Sequence, residues 1–323
     1  MKKIILLIAL SFGLALSFGL AGLSQASDIA ATKYSFAHIK AGQAILTADD
    51  NYMNRMSAAE IAIRTRSEVA DKSVADLKAL YMDNILEWTE AEKAQISKLV
   101  ADNRDRLSQI QHLLPAEITF IKVNNMVEGG LPHTRSDAII LPLSDKPLSE
   151  TLFYHELFHV LSRNQKDRHH GLYGLIGFKP CDFITNDQVS AMSLTNPDVP
   201  AEGYYLPVTI EGKPAAIMTF LHTARNAFDP AIEQGFGGHF GFGLLKVKTD
   251  AGKCTVDTDA GGKAQILNPG TVPDFFAAIG QNTQYFIHPE EVLAENFVFA
   301  MTGKSDLPNP EVPARLKAWL TKK

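Results

Sequence analysis

The segment Tyr154-His155-Glu156-Leu157-Phe158-His159-Val160-Leu161 constrains the fold more than any other stretch of the chain. It sets two histidines and a glutamate into an otherwise apolar run, and it reads as part of a helix over about 148–163. Residues four apart lie on one face of a helix, so His155 and His159 can point at a single metal ion. Imidazoles suit Zn²⁺ at roughly 2.0–2.1 Å per bond. Glu156 follows the first histidine directly, where its carboxylate reaches a metal-bound water without being a ligand. A water whose pKa falls toward about 7 is a nucleophile at neutral pH once a base takes its proton.

The chain around this helix changes character along its length. Ser57 with Glu60, and Thr89 with Glu92, have the spacing of capping boxes. Ile96, Leu99, Val100, Leu107, Ile110 and Leu114 recur at helical spacing until Pro115 stops the run. Residues 27–115 therefore read as a helical N-terminal region. The segments 117–123 and 138–142 read as strands, with Gly129-Gly130 as a turn between them. Residues 164–284 are richer in Gly, Pro, Asn and Asp and read as an insertion of short strands and long loops. Within it, 204–210 and 215–220 form a hairpin around 211–214. Two helices near 289–302 and 310–321 close the chain. The expected fold class is α+β, with the region 116–323 built around the motif helix.

The first residues address the compartment. Lys2 and Lys3 precede an apolar run over 4–23, and Ser24-Gln25-Ala26-Ser27 carries small residues at the positions a signal peptidase reads. This is the layout of a signal peptide over 1–26, cleaved after Ala26. The competing reading is an uncleaved anchor, since about twenty apolar residues can span a bilayer. Cleavage removes two lysines and no acid, taking the net charge from -5 to -7. That acidity argues against nucleic-acid binding through phosphate neutralisation. The protein is expected to be periplasmic or secreted, with no membrane association after cleavage. In such an oxidising compartment Cys181 and Cys254, the two cysteines of the chain, are expected to pair.

Two histidines and a water leave one protein ligand to find. The metzincin continuation needs Gly and His three and six residues after the second histidine, and Ser162 and Gln165 stand there. His169 and His170 follow a run that reads as a solvated helix end. The segment from His288 to Phe297 is a better source: Pro289 is placed to open a helix, on which Glu291 and Glu295 share a face.

Together the two segments resemble the gluzincin group of zinc metallopeptidases, in which H-E-x-x-H is joined by Glu-x-x-x-Asp/Glu on a later helix. Glu-Val-Leu-Ala-Glu-Asn-Phe at 291–297 is most similar to lethal-factor-like members. The resemblance implies a zincin-like core of a small sheet plus the active-site helix, with one Zn²⁺ per chain. It implies that Glu291 is the third ligand and that Glu295 bonds His155, fixing its tautomer. It covers the strand at 136–142, the helix at 148–163 and the segment 284–300. His159 and Glu291 are 132 positions apart, a longer spacing than in familiar gluzincins. Glu202, Glu211, Glu233 and Glu290 therefore compete for the third position. A helix dipole favours acids in a first turn, which accounts for Glu290 better than for Glu295.

Peptide hydrolysis also needs a donor for the developing oxyanion. Tyr285, six residues before Glu291, resembles the tyrosine that lethal-factor-like enzymes place upstream of their glutamate. His222, His239 and His288 are rival donors or substrate contacts. In zincins an edge strand pairs with the extended substrate, a task that falls to 135–141 here. The glycine-rich run 235–243 matches no nucleotide-binding pattern and reads as a strand or loop lining the cleft. These features add up to the expectation of an exported zinc peptidase acting on peptides or proteins through Glu156 and Tyr285. Two alternatives use the same sequence: a zinc-bearing peptide-binding protein without turnover, and a metal-free structural protein with a chance motif.

Overall fold

The near-continuous apolar strands of the central sheet show how the core is built. A computed structural model describes residues 31–144, 146–200 and 203–322; the expected signal segment 1–26 and Glu202 lie outside them. The sheet comprises β1 (Lys33–Phe36), β2 (Ile85–Leu86), β3 (Glu117–Val123), β4 (His133–Arg135) and β5 (Ala138–Pro142), in the order β1-β3-β5-β4 with β2 on β3. β1, β3 and β5 run parallel, while β4 returns antiparallel along β5. Parallel strands are buried on both faces, and the alternation divides their side chains between two cores. Ile118, Phe120, Ile139 and Leu141 face the layer holding the motif helix. Ile121, Val123, Ala138 and Ile140 face Leu46, Tyr52, Met53, Leu77 and Tyr81 from the N-terminal helices.

The N-terminal region is thus not a separate helical unit. It contributes β1 and β2 to the central sheet, and its short helices cover one sheet face. Thr89 and Glu92 close a full capping box. Ser57 caps its helix through the Glu60 N–H, but the Glu60 side chain turns inward to other partners, described below.

The segment read as a loop-rich insertion holds a second sheet. Its strands are β6 (Lys179–Pro180), β7 (Asp182–Ile184), β8 (Tyr204–Ile210), β9 (Lys213–His222), β10 (Gly241–Asp250), β11 (Lys253–Val256) and β12 (Ile266–Leu267). Their order is β6-β8-β9-β10-β11-β7, with β12 on β10. The β8–β9 hairpin closes through two residues only, Glu211 at φ 51° and Gly212 at φ 73°, so β9 begins earlier than 215. Positive φ at both positions matches the right-handed twist of the flanking strands. Tyr204, Leu206, Val208, Ile217 and Leu244 from this sheet join the same core cluster as the motif helix.

Cys181 and Cys254 form a disulfide across 73 positions, tying the residue between β6 and β7 to β11. Closing a loop of this length restricts the unfolded chain and contributes roughly 4 kcal/mol. A Cys181→Ala/Cys254→Ala double variant is expected to lose stability of that order, read as a lower urea midpoint with a steeper slope, because the unfolded chain without the cross-link exposes more surface. No helix among the described residues is long and apolar enough to cross a membrane.

Candidate metal centre

Two helices bring the polar groups together. The motif helix Glu150–Asn164 starts at Ser149, whose hydroxyl accepts from the Leu152 N–H. Phe153, Leu157, Val160 and Leu161 anchor it in the core, which leaves His155, Glu156 and His159 on the remaining face. The acid helix Pro289–Thr302 starts with Pro289 at its first turn and ends at Gly303, whose φ of 73° suits glycine. Phe297 from this helix packs on Tyr154 and Phe158, locking the two helices together.

Where they meet, three ligand atoms form a nearly equilateral triangle. His155 Nε2 and His159 Nε2 are 3.2 Å apart, and Glu291 Oε2 lies 3.3 Å from the first and 3.4 Å from the second. A tetrahedral ion with bonds of roughly 2.0–2.1 Å separates its ligands by about 3.3–3.4 Å, so the triangle has the size of one face of a zinc tetrahedron. Among the described residues this trio is the one group of three His, Cys, Asp or Glu side chains placed so that they could hold a metal ion. Glu291 Oε2 is buried and makes no hydrogen bond.

The outer nitrogens are held so that the inner ones converge. His155 Nδ1 is 2.9 Å from Glu295 Oε1, and His159 Nδ1 is 3.1 Å from Glu290 Oε1. With each Nδ1–H donated to a carboxylate, both Nε2 lone pairs face the triangle. Glu290 Oε2 accepts from Ser162 Oγ at 2.9 Å and from the Tyr173 hydroxyl at 2.6 Å. Glu290 is therefore an orienting group for His159, with both oxygens occupied. Burial disfavours charge on His155, yet the Glu291 and Glu295 carboxylates outweigh it and push its pKa up to about 10 without metal. Burial likewise opposes the Glu291 charge, and the two imidazoles hold it well below the usual carboxylate range. For Glu156, burial and the nearby Asp198 charge both act upward, to about 8.

The cleft above the triangle has a volume of about 580 Å³, and His155, Glu156, Asn196, Asp198, Tyr285 and Glu295 all line it. Tyr285 is 44 % exposed, and its ring centre is 5.8 Å from that of His155. Packing around its hydroxyl and the carboxylates nearby raise its pKa, so it stays a proton donor. Aromatic side chains of Phe236, Phe240 and Phe242 form one wall, the contribution of the glycine-rich run.

The rival groups lie elsewhere. His239 is buried, accepting from the Asp229 N–H at Nε2 and bonding Gly235 O through Nδ1. His222 stacks on Phe220 within β9, and His288 caps the acid helix by accepting the Glu290 N–H. None of the three lines the cleft. Glu211 and Glu233 are exposed and outside the triangle, His169 bonds Ser162, and His170 bonds the Tyr204 hydroxyl. Of the segment 135–141 only Arg135 belongs to the edge strand β4; residues 138–141 belong to β5, which lies between β3 and β4. At the true edge, the Thr134 N–H donates to Asp198 and the Ser136 carbonyl accepts from Arg163, so these groups are not free to pair with a substrate.

Sequence reasoning missed the loop 195–198, which brings Asn196 and Asp198 to the centre. Its signal is only turn chemistry, Thr-Asn-Pro-Asp, which marks loops in general. No protein-family model, curated protein or solved structure matches this chain.

Proposed function

We propose that the protein is a zinc-dependent peptidase with a zincin-like core of gluzincin type. The observation that carries this reading is the His155–His159–Glu291 triangle, sized for one tetrahedral ion. These three residues would leave a four-coordinate ion one position for water, the arrangement that distinguishes catalytic from structural zinc sites. When bound, zinc acts as a Lewis acid on the substrate carbonyl and on that water, and it favours the carboxylate form of Glu156.

The chain's own residues then divide the work. Glu156 takes a proton from the water as its oxygen bonds to the peptide carbonyl carbon, and delivers that proton to the leaving nitrogen as the C–N bond breaks. Its Oε2 is buried and makes no hydrogen bond within the chain. Tyr285 donates its hydroxyl hydrogen to the developing oxyanion. Glu290 and Glu295 hold both imidazoles in one tautomer throughout.

Purified protein is expected to take up one zinc per chain and to cleave peptides from a mixed library. A chelator is expected to abolish cleavage, and zinc to restore it. A zinc-loaded protein that leaves every peptide intact would overturn the catalytic reading.

A further inference from the structure

The loop 195–198 has open space on both sides. Thr195 and Asn196 line the catalytic cleft, and the same two residues line a second cavity of about 350 Å³ behind it. Side-chain packing alone therefore does not fix this partition, and its position depends on polar ties. The principal tie comes from the N-terminal helix Ala58–Arg64. Glu60 Oε1 accepts from the Thr195 N–H at 2.9 Å and from the Thr195 hydroxyl at 2.7 Å. Arg64 Nη2 donates to the Thr195 carbonyl at 2.7 Å and pairs with Glu60 at the same distance. Both main-chain groups of Thr195 are thus held by one buried ion pair. Arg64 is itself held by Glu128, which also accepts from the Tyr52 and Tyr81 hydroxyls.

The next residue points at the metal ligand. Asn196 Oδ1 accepts from the Asp198 N–H at 2.9 Å, which fixes the side-chain amide so that its nitrogen faces the other way. That nitrogen donates to Glu291 Oε1 at 2.6 Å. Beyond Asn196 the loop is held again, Pro197 O by Arg163 of the motif helix and Asp198 Oδ1 by Thr134 of the central sheet. The two oxygens of Glu291 are therefore unequal: Oε1 is occupied, while Oε2 is left facing both imidazoles.

We propose that Asn196 is a positioning residue of the metal centre: carried by the Glu60–Arg64 pair, it occupies Glu291 Oε1 and restricts this carboxylate to a single ligand atom, Oε2. The proposal rests on the metal reading above and extends it to the N-terminal helices, which on this view are part of the site. A carboxylate held through one oxygen keeps the ion four-coordinate, with one position open. Released, the carboxylate can swing to bind through both oxygens and crowd the water.

The test uses the full chain and metal alone. Asn196→Ala is expected to weaken zinc binding by roughly 10–100-fold, the usual cost of losing a partner that orients a ligand. Its cobalt-loaded form is expected to lose the intense visible absorption of a four-coordinate ion, a change that a purely structural role would not produce. Asn196→Asp keeps the shape, replaces the donor with a second carboxylate oxygen, and is expected to give the same spectral loss if the alanine variant folds poorly. Glu60→Gln is expected to weaken zinc binding several-fold in the wild-type background and to have no further effect beside Asn196→Ala. Wild-type affinity and spectrum in both Asn196 variants would overturn the positioning role and leave the metal reading standing. A wild-type chain that binds neither zinc nor cobalt would overturn both.

Discussion

Replacing Glu156 by glutamine is expected to reduce peptide cleavage by about 10²–10⁴-fold while leaving one zinc bound per chain. Glutamine has the same shape and fits the same buried space on the motif helix. It cannot carry the proton from water to the leaving nitrogen, because its amide is not a base at neutral pH. Zinc binding is expected to persist, since Glu156 lies outside the ligand triangle. The fold is expected to hold as well. Burial and the Asp198 charge already disfavour the Glu156 carboxylate, and its Oε2 makes no hydrogen bond that the substitution would break. Alanine would confuse this comparison by opening space beside the metal. Single-turnover cleavage together with zinc content by atomic absorption checks the expectation. Full activity in a zinc-loaded Glu156→Gln protein would exclude the mechanism, even if the metal centre were intact.

What the sequence made legible follows from the range of the interactions involved. The motif helix and the acid helix are marked locally: apolar spacing, Ser149 and Pro289 at their starts, and Gly303 at the end of the second. The resemblance implies a bond between Glu295 and His155, and the structure places Glu295 Oε1 2.9 Å from His155 Nδ1. The role of Glu290 was not legible. An acid in the first turn of a helix has an ordinary explanation in the helix dipole, and its contact with His159 spans 131 positions. β1 was missed for a related reason. Four residues give almost no periodicity, and their partner strand lies 84 positions away, so only the assembled sheet reveals the pairing. The insertion carried turn signals that read as loops, yet its strands β9 and β10 each run for ten residues. Glycine hid the start of β10: at Gly243 a Cβ would lie 2.4 Å from the Ile266 side chain, so the strand requires a residue that reads as a breaker. The same run drew attention to His239, whereas Phe236, Phe240 and Phe242 are its cleft-lining side chains.

Glu291→Gln and Glu290→Gln are expected to separate two neighbouring acids that composition alone makes equivalent. Glu291 presents an unbonded Oε2 to both imidazoles, so its amide variant removes a ligand and can turn a donor toward the two nitrogens. Asn196 can still donate to the remaining carbonyl oxygen, which favours a folded protein that no longer holds zinc. Glu290 has its oxygens committed to His159, Ser162 and Tyr173, so its amide variant disturbs the orientation of one ligand and leaves the ligand set whole. The expected cost there is the roughly 10–100-fold weakening that follows loss of an orienting partner, and the cost for Glu291→Gln is larger. Thermal unfolding reads the difference directly. At free zinc one hundred times the wild-type dissociation constant, the wild-type fold gains about 2.7 kcal/mol from binding. At the same zinc concentration a variant weakened by about 10–100-fold still gains roughly 1.4–0.4 kcal/mol, whereas one weakened by about a thousandfold gains less than about 0.1 kcal/mol and its melting temperature hardly moves. If Glu290→Gln abolished the zinc-induced shift and Glu291→Gln retained it, the assignment of ligand and orienting group would have to be exchanged.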